Sequence, residues 1–139
     1  MAACLKLHVD IIGPAGFDLS NRALKRAGLD YLDRATFELF ENFEAFLHKR
    51  LEKSDRRLIL ATTSGAVSYL EHQFQRSDII LMGRESSGVP ADVHELASVR
   101  IKIPMQAETR SLNLALSTAM IIGEALRQTD GFVFEDDIF

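Results

Sequence analysis

The chain has 139 residues, of which 47% are hydrophobic and 26% are charged, and its formal net charge is −4. This length and composition are ordinary for a globular protein, so we expect residues 1–139 to form a single domain with one core rather than a disordered chain. An acidic net charge does not by itself predict nucleic-acid binding, because phosphate contacts usually leave a basic footprint. No apolar run approaches the roughly 20 residues that span a bilayer, so we expect no membrane partner.

The N-terminal residues lack the succession of basic, apolar and small residues that marks a signal peptide, and we expect a cytoplasmic protein. The single cysteine, Cys4, cannot form an internal disulfide, and a small buried apolar side chain is its favoured interpretation. The histidines lie far apart and form no helical pair, so the sequence does not support a metal site. They are His8, His48, His72 and His94.

Short β-rich runs alternate with helical patterns along the chain. The predicted strands lie at residues 7–12, 58–62, 78–82 and 99–103. The predicted helices lie at residues 21–27, 91–96 and 112–128. Strands that alternate with helices predict an α/β domain with a mostly parallel sheet and helices on both of its faces.

Residues 36–51 are ambiguous between two patterns. The spacing of their phenylalanines fits one stripe of a helix, but Phe37 and Leu39 also alternate as they would in a strand. We favour a strand, followed by Asn42 as a cap and a helix over residues 43–51. The phenylalanines are expected in the core, since a surface that stacks on bases is the rarer use of this side chain.

The last predicted helix, residues 112–128, carries apolar residues on most of its surface. Such a helix is expected to be buried on more than one side. It is therefore either a central helix of the domain or part of a dimer interface.

Polar or glycine-containing loops follow three of the predicted strands, at residues 62–65, 83–88 and 103–113. Ligands of open α/β sheets bind at the carboxyl ends of the strands, so these loops predict one ligand site. The sequence carries no Walker loop, no GxGxxG fingerprint after a strand and no GxSxG nucleophile elbow. The commonest nucleotide-binding and hydrolase templates therefore do not apply.

Two motifs in order, LMGRESSGVP and then IKIPM followed by RSLNLALSTAMIIGEALRQ, resemble the second and third motifs of the SPOUT methyltransferases, the knotted RNA 2′-O-methylases. Further upstream, IIGPAGF, RALKRAGLDY and LATTSG resemble the small branch of that family, which methylates the wobble nucleotide of tRNA. The resemblance implies a C-terminal trefoil knot, an exception to the rule that connections do not thread loops. It also implies a homodimer, S-adenosylmethionine as cofactor and a tRNA ribose 2′-hydroxyl as methyl acceptor.

Two alternatives stay open beside this reading. One is methylation of ribosomal RNA, which usually brings an additional RNA-binding domain. The other is an inactive SPOUT-like dimer that only binds RNA or cofactor.

The resemblance also implies roles for individual residues. The cofactor pocket falls on Ala61, Thr62, Gly83, Gly88, Ile103, Ser111 and Leu112. The residues that would orient cofactor and ribose during catalysis are Glu85, Arg110, Ser111 and Asn113. The residues that would meet RNA phosphates are Arg22, Lys25, Arg26 and Arg34. Without the resemblance, Glu85 reads as a salt-bridged loop residue, Ser111 as a helix cap and Asn113 as a polar group of the first helical turn.

The first motif of the family is an asparagine-rich loop and helix with an arginine that activates the ribose hydroxyl. Alignment through IIGPAGF places that motif ahead of Met1. We expect Met1 to be an internal methionine of a longer natural chain. If the chain is natural as written, we expect it to catalyse poorly even if it binds the cofactor.

Overall fold

The computed structural model describes residues 1–14, 36–52, 54–65, 67–107 and 111–132. The chain forms two compact units, Met1–Ser54 and Asp55–Phe132. Each unit contains its own parallel sheet. The expectation of a single domain over residues 1–139 stays a prediction.

The first unit pairs two strands and a helix. Strand β1 (His8–Ile12) runs parallel to β2 (Thr36–Phe40). Helix α1 (Phe43–Arg50) begins after Asn42, whose Oδ1 accepts a hydrogen bond from the backbone N–H of Ala45 at 2.9 Å. The predicted order of strand, cap and helix is confirmed. The helix predicted at residues 21–27 lies outside the described residues.

Aromatic packing forms the core of the first unit. Phe40 of β2 and Phe46 of α1 are both buried, and their rings meet edge to face with centroids 5.6 Å apart. This is a favourable geometry for two aromatic rings. The prediction that the phenylalanines belong to the core is confirmed for these two, whereas Phe37 and Phe43 are half-buried. Cys4, in contrast, is exposed, because it lies in the turn that precedes β1 and not in the sheet, so its predicted burial was wrong.

An arginine organises the charged side of the first unit. Arg50 donates to both carboxylate oxygens of Asp10, at 2.9 and 2.7 Å, and to Glu38 at 2.8 Å. Burial raises the pKa of Asp10, but hydrogen bonds from Arg50 and His8 outweigh it and hold that pKa below its usual value. His8, Asp10 and Glu38 lie close enough together to ligate a cation. Two cationic side chains already pair with the two carboxylates of this cluster, Arg50 with Asp10 and Glu38, and Lys49 with Glu38.

The second unit is built on a four-stranded parallel sheet with the order β4-β6-β3-β5. Its strands are β3 (Leu58–Ala61), β4 (Val67–Ser68), β5 (Ile79–Met82) and β6 (Val99–Lys102). The strands predicted from the sequence are confirmed, and each differs by one residue at one end. Strand β4 was not predicted, because two residues are too short to establish an alternating pattern.

Two described helices complete the second unit, α2 (Ala91–Leu96) and α3 (Leu114–Gln128). In α3 Ile121 is 1% exposed, whereas Leu116 is 60% and Met120 is 41% exposed. Among the described residues, the first two turns of α3 therefore expose apolar side chains, whereas residues 121–126 are buried or half-buried. Among the described residues no helix is both long and apolar enough to cross a membrane.

The core of the second unit lies between its sheet and α3. Ile59, Ile101 and Ile121 pack together with Phe74 and are fully or almost fully buried. Leu58 and Leu60, which point to the opposite face of β3, are also buried. Both faces of β3 are thus covered, which explains why its sequence is a continuous apolar run. The α/β class with parallel strands is confirmed.

A buried charge pair closes the amino ends of β3 and β5. Arg57 donates to the two carboxylate oxygens of Asp78 at 2.8 and 2.7 Å, and the Asp78 side chain is 2% exposed. His72 Nε2 lies 3.8 Å from Asp78 Oδ2 and has no hydrogen-bond partner. Burial, with the positive charge of Arg57, holds the pKa of His72 below its usual value despite the opposing effect of Asp78.

Candidate functional site

The three loops predicted from the sequence border one cavity in the second unit. The cavity has a volume of about 430 Å³ and lies where β3, β5 and β6 end and α3 begins. A pocket of this size accommodates an organic ligand of cofactor or drug size. The predicted residues that line it are Ala61, Thr62, Gly83, Glu85, Gly88, Ile103, Ser111 and Leu112.

The loop after β5 is closed on itself by its backbone. Arg84 N–H donates to the carbonyl of Gly88 at 2.9 Å, and Gly88 N–H donates to the carbonyl of Arg84 at 2.8 Å. Gly88 has a φ of +67°, a conformation that glycine adopts without strain. The closed loop leaves Glu85 and Ser87 exposed at the cavity wall. This tight closure explains why glycines lie on both sides of Glu85 in the sequence.

The loop after β3 is fixed against the neighbouring strand. Thr62 N–H donates to the carbonyl of Ile101 at 2.9 Å, and Gly65 N–H donates to the carbonyl of Thr62 at 3.2 Å. A Cβ on Gly65 would lie 2.5 Å from the carbonyl carbon of Ile101, so only glycine fits at this approach. The Thr62 side chain is held at the carboxyl end of β3, beside the cavity.

The third loop leads into α3, and its last residue caps that helix. Asn113 Oδ1 accepts from the N–H groups of Ala115 at 2.9 Å and Leu116 at 3.3 Å. The interpretation of Ser111 as the cap was wrong, because Asn113 occupies the N-cap position. Ser111 lines the cavity instead, and the residues described as lining it do not include Asn113.

Several predicted residues cannot be placed. Arg110, Arg22, Lys25, Arg26 and Arg34 lie outside the residues that the structure describes. Their predicted roles in catalysis and RNA binding stay predictions.

Residues that were not predicted also line the cavity. They are Ser64, Ser87, His94, Lys102, Met105 and Ser117, among others. Ser64 and Ser87 belong to loops that the sequence already marked. His94 and Ser117 lie on helices, and only the packing of α2 and α3 brings them to the cavity, so no local signal identified them.

The wall combines apolar and polar chemistry. Leu60, Met82, Ile101 and Ile121 supply apolar surface, while hydroxyls, backbone groups and the carboxylate of Glu85 supply polar contacts. Apolar walls with a few fixed polar groups suit a flat heteroaromatic ligand that carries hydrogen-bonding substituents. The positive charges of Arg84 and Lys102 add attraction for an anionic group.

The second unit has a parallel sheet with a cavity at the carboxyl ends of its strands, and glycine-containing loops border that cavity. This architecture is typical of α/β proteins that bind an organic ligand. The comparisons specify the class further. The profile described as SpoU rRNA Methylase family matches residues 1–123. The chain belongs to this family.

Individual relatives agree with this membership. A tRNA (cytidine(34)-2′-O)-methyltransferase from Ancylobacter novellus is 52% identical over 130 residues, which cover 94% of this chain and 82% of the relative. A solved structure described as giving insights into the 2-OH methylation of C/U34 on tRNA is 38% identical, with a TM-score of 0.83, and the match covers 91% of this chain and 82% of that one.

A more distant structure shares the fold alone. The SpoU methyltransferase AviRb from Streptomyces viridochromogenes, in complex with the cofactor AdoMet, is 20% identical with a TM-score of 0.75, over 91% of this chain and 52% of that one. The resemblance to RNA 2′-O-methylases that the motifs indicated is confirmed.

Proposed function

We propose that the protein transfers a methyl group from S-adenosylmethionine to the ribose 2′-hydroxyl of the wobble nucleotide, position 34, of tRNA. The observation that carries the proposal is one cavity that gathers the glycine-closed loop and the loop before α3, in a chain 52% identical to a tRNA (cytidine(34)-2′-O)-methyltransferase. Ribosomal RNA as the substrate is less well supported, because the relatives of similar length named above act on tRNA.

The cavity residues divide into two proposed roles. Ala61, Thr62, Gly83, Ile103 and Leu112 would hold the adenosine part, since backbone groups beside an apolar wall read an adenine and glycines permit close approach. Gly88 would support this pocket through its paired hydrogen bonds with Arg84.

The remaining residues would act on the reacting groups. S-adenosylmethionine supplies an electrophilic methyl on a sulfonium, so the protein has mainly to orient the ribose and assist removal of its proton. Glu85 and Ser111 are at the cavity wall, and Arg110 is adjacent in sequence to Ser111. Asn113 would contribute by fixing the start of α3, because its Oδ1 is committed to the cap.

The substrate and the cellular setting follow from this activity. Arg22, Lys25, Arg26 and Arg34 would contact tRNA phosphates. We propose a cytoplasmic protein and a single domain whose C-terminal part carries the trefoil knot of the family. No metal is assigned a role, since methyl transfer from a sulfonium needs none.

A homodimer is part of the proposal. Leu112, Leu116 and Met120 are 39%, 60% and 41% exposed in the single chain and follow one another at intervals of four residues. Leu116 and Met120 lie one turn apart on the same side of α3, and Leu112 lies just before the Asn113 cap of that helix. We call these three exposed apolar side chains the stripe. A second copy of the chain is the proposed partner for the stripe, and the stripe is continuous with the cavity through Leu112.

Methyl transfer tests the function directly. S-adenosylmethionine with a labelled methyl group is incubated with the protein and, in separate reactions, bulk tRNA or ribosomal RNA, and the modified nucleotide is mapped by mass spectrometry. The expected product is a 2′-O-methyl group at position 34. Calorimetry with S-adenosylmethionine is the companion measurement: binding without transfer would indicate the inactive dimer, and label only in ribosomal RNA would favour the other substrate.

A further inference from the structure

A serine and a histidine meet in the cavity wall. Ser64 Oγ lies 3.4 Å from His94 Nε2. Ser64 belongs to the loop after β3 and His94 to the last turn of α2, and both residues line the cavity. The family motifs assign no role to either residue.

Each member of the pair is fixed from its other side. The Ser64 hydroxyl lies 3.2 Å from Thr62 Oγ1, and Ser64 N–H donates to that same oxygen at 3.4 Å. The carbonyl of His94 accepts from Arg100 Nη1 at 3.2 Å. The pair therefore links the Thr62 segment to the helix that follows the closed loop Gly83 to Gly88.

The contact between the two side chains is long. Hydrogen bonds between nitrogen and oxygen are usually about 2.7–3.2 Å in length, so a contact of 3.4 Å is weak. Hydrogen bonds at binding sites often shorten when a ligand draws the flanking segments together. A ligand in contact with both the β3 loop and α2 would shorten this contact.

We propose that Ser64 and His94 are positioning residues for the methyl donor. In the donor complex their hydrogen bond holds the Thr62 segment against α2, the helix that follows the closed loop, beside the adenosine part. The inference rests on the proposed function, because it takes an adenosine-based methyl donor as the ligand.

A double-mutant cycle measured by calorimetry tests the pair. The ligand is S-adenosylhomocysteine, the unreactive product, and the proteins are the wild type, Ser64→Ala, His94→Ala and the double variant. Each single change is expected to weaken binding about three- to tenfold, the range of one hydrogen bond. The double change is expected to weaken binding no further, because both single changes remove the same contact.

Other measurements separate positioning from a structural role. Ser64→Thr and His94→Gln keep a hydrogen-bonding group and are expected to recover part of the affinity. The ligand-free melting temperatures are expected to stay close to the wild-type value, and the KM for S-adenosylmethionine is expected to rise more than kcat falls. His48→Ala, at an exposed histidine of α1, is the matched control for loss of an imidazole.

Additive losses of affinity in the double variant, or an unchanged Kd in the single variants, would overturn the inference. So would a loss of ligand-free stability as large as the loss of binding. If the wild-type protein binds neither S-adenosylhomocysteine nor S-adenosylmethionine, the cofactor assignment fails and the inference fails with it. Binding of the ligand without coupling between Ser64 and His94 would overturn this inference and leave the proposed function standing.

Discussion

The backbones of Gly83 and Gly88 press against each other at the neck of the loop after β5: a Cβ on Gly83 would lie 2.7 Å from the carbonyl carbon of Gly88. The neighbouring atoms are backbone and cannot swing away as a side chain does. The two hydrogen bonds between Arg84 and Gly88 depend on this approach. The shape of the cavity wall therefore depends on the absence of a side chain at Gly83.

Gly83→Ala is expected to open this neck, because the added methyl must displace the Gly88 backbone at a cost of about 1–3 kcal/mol. We expect binding of S-adenosylmethionine to weaken by about tenfold or more, since about 1.4 kcal/mol corresponds to a factor of ten. Calorimetry measures the change. Ser86→Ala, at an exposed position of the same loop, is the matched control. Wild-type affinity in Gly83→Ala would contradict the assignment of this loop to the cofactor.

Asn113 offers a test of capping against chemistry. Asn113→Ala removes the acceptor for the N–H groups of Ala115 and Leu116 and is expected to cost about 1 kcal/mol of stability. Asn113→Asp and Asn113→Ser keep an N-cap oxygen and should retain nearly all of the stability. Thermal unfolding and methyl transfer are measured on all three variants. If Asn113→Asp stays fully stable but loses transfer, the amide has a catalytic role beyond the cap.

Acid is expected to destabilise the protein through His72. Its pKa is lowered in the folded state by burial and by Arg57, whereas in the unfolded chain it returns to about 6.5. As the pH falls below about 6.5, His72 is therefore protonated in the unfolded state before it is protonated in the folded state, and the free energy of unfolding decreases. The pKa of Asp78 is also lowered, because the hydrogen bonds from Arg57 and Gln75 outweigh its burial. The stability that ionised Asp78 contributes is therefore lost only at more acid pH.

The measurement is the melting temperature between about pH 7.5 and 5.5, the range in which an ordinary histidine titrates. His72→Leu, which cannot titrate, should show a smaller fall than the wild type across this range. His48→Leu, an exposed histidine replaced in the same way, is the control. Parallel curves for wild type and His72→Leu would show that His72 is not the group responsible.

Leu116→Glu is expected to break the dimer without unfolding the chain. The Leu116 side chain is 60% exposed within the single chain, so a charge there costs the monomer little but would be buried without a partner in a dimer. Sedimentation velocity is expected to show dimers for the wild type and monomers for the variant. Leu70→Glu, at a 58% exposed leucine away from the stripe, should remain dimeric. A variant Leu116→Glu that stays dimeric would place the interface elsewhere.

The sequence by itself determined the local structure and the position of the site along the chain. Apolar runs bounded by turn residues marked β3, β5 and β6, Asn42 marked the start of α1, and the glycines of the second motif marked a ligand loop. Each of these signals acts within a few residues, where backbone conformation and burial decide the outcome. The ordered motifs then identified the family, which the relatives confirm.

Only the tertiary structure decided which side chains share the cavity and which support it. Asn113 proved to be the cap and Ser111 a wall residue, because the exact start of α3 depends on how the preceding loop meets the helix. The contact between Ser64 and His94 joins residues 30 positions apart. Strand β4, with two residues, forms only because β6 is beside it. Such pairings arise from packing between distant segments, which leaves no periodic pattern in the sequence.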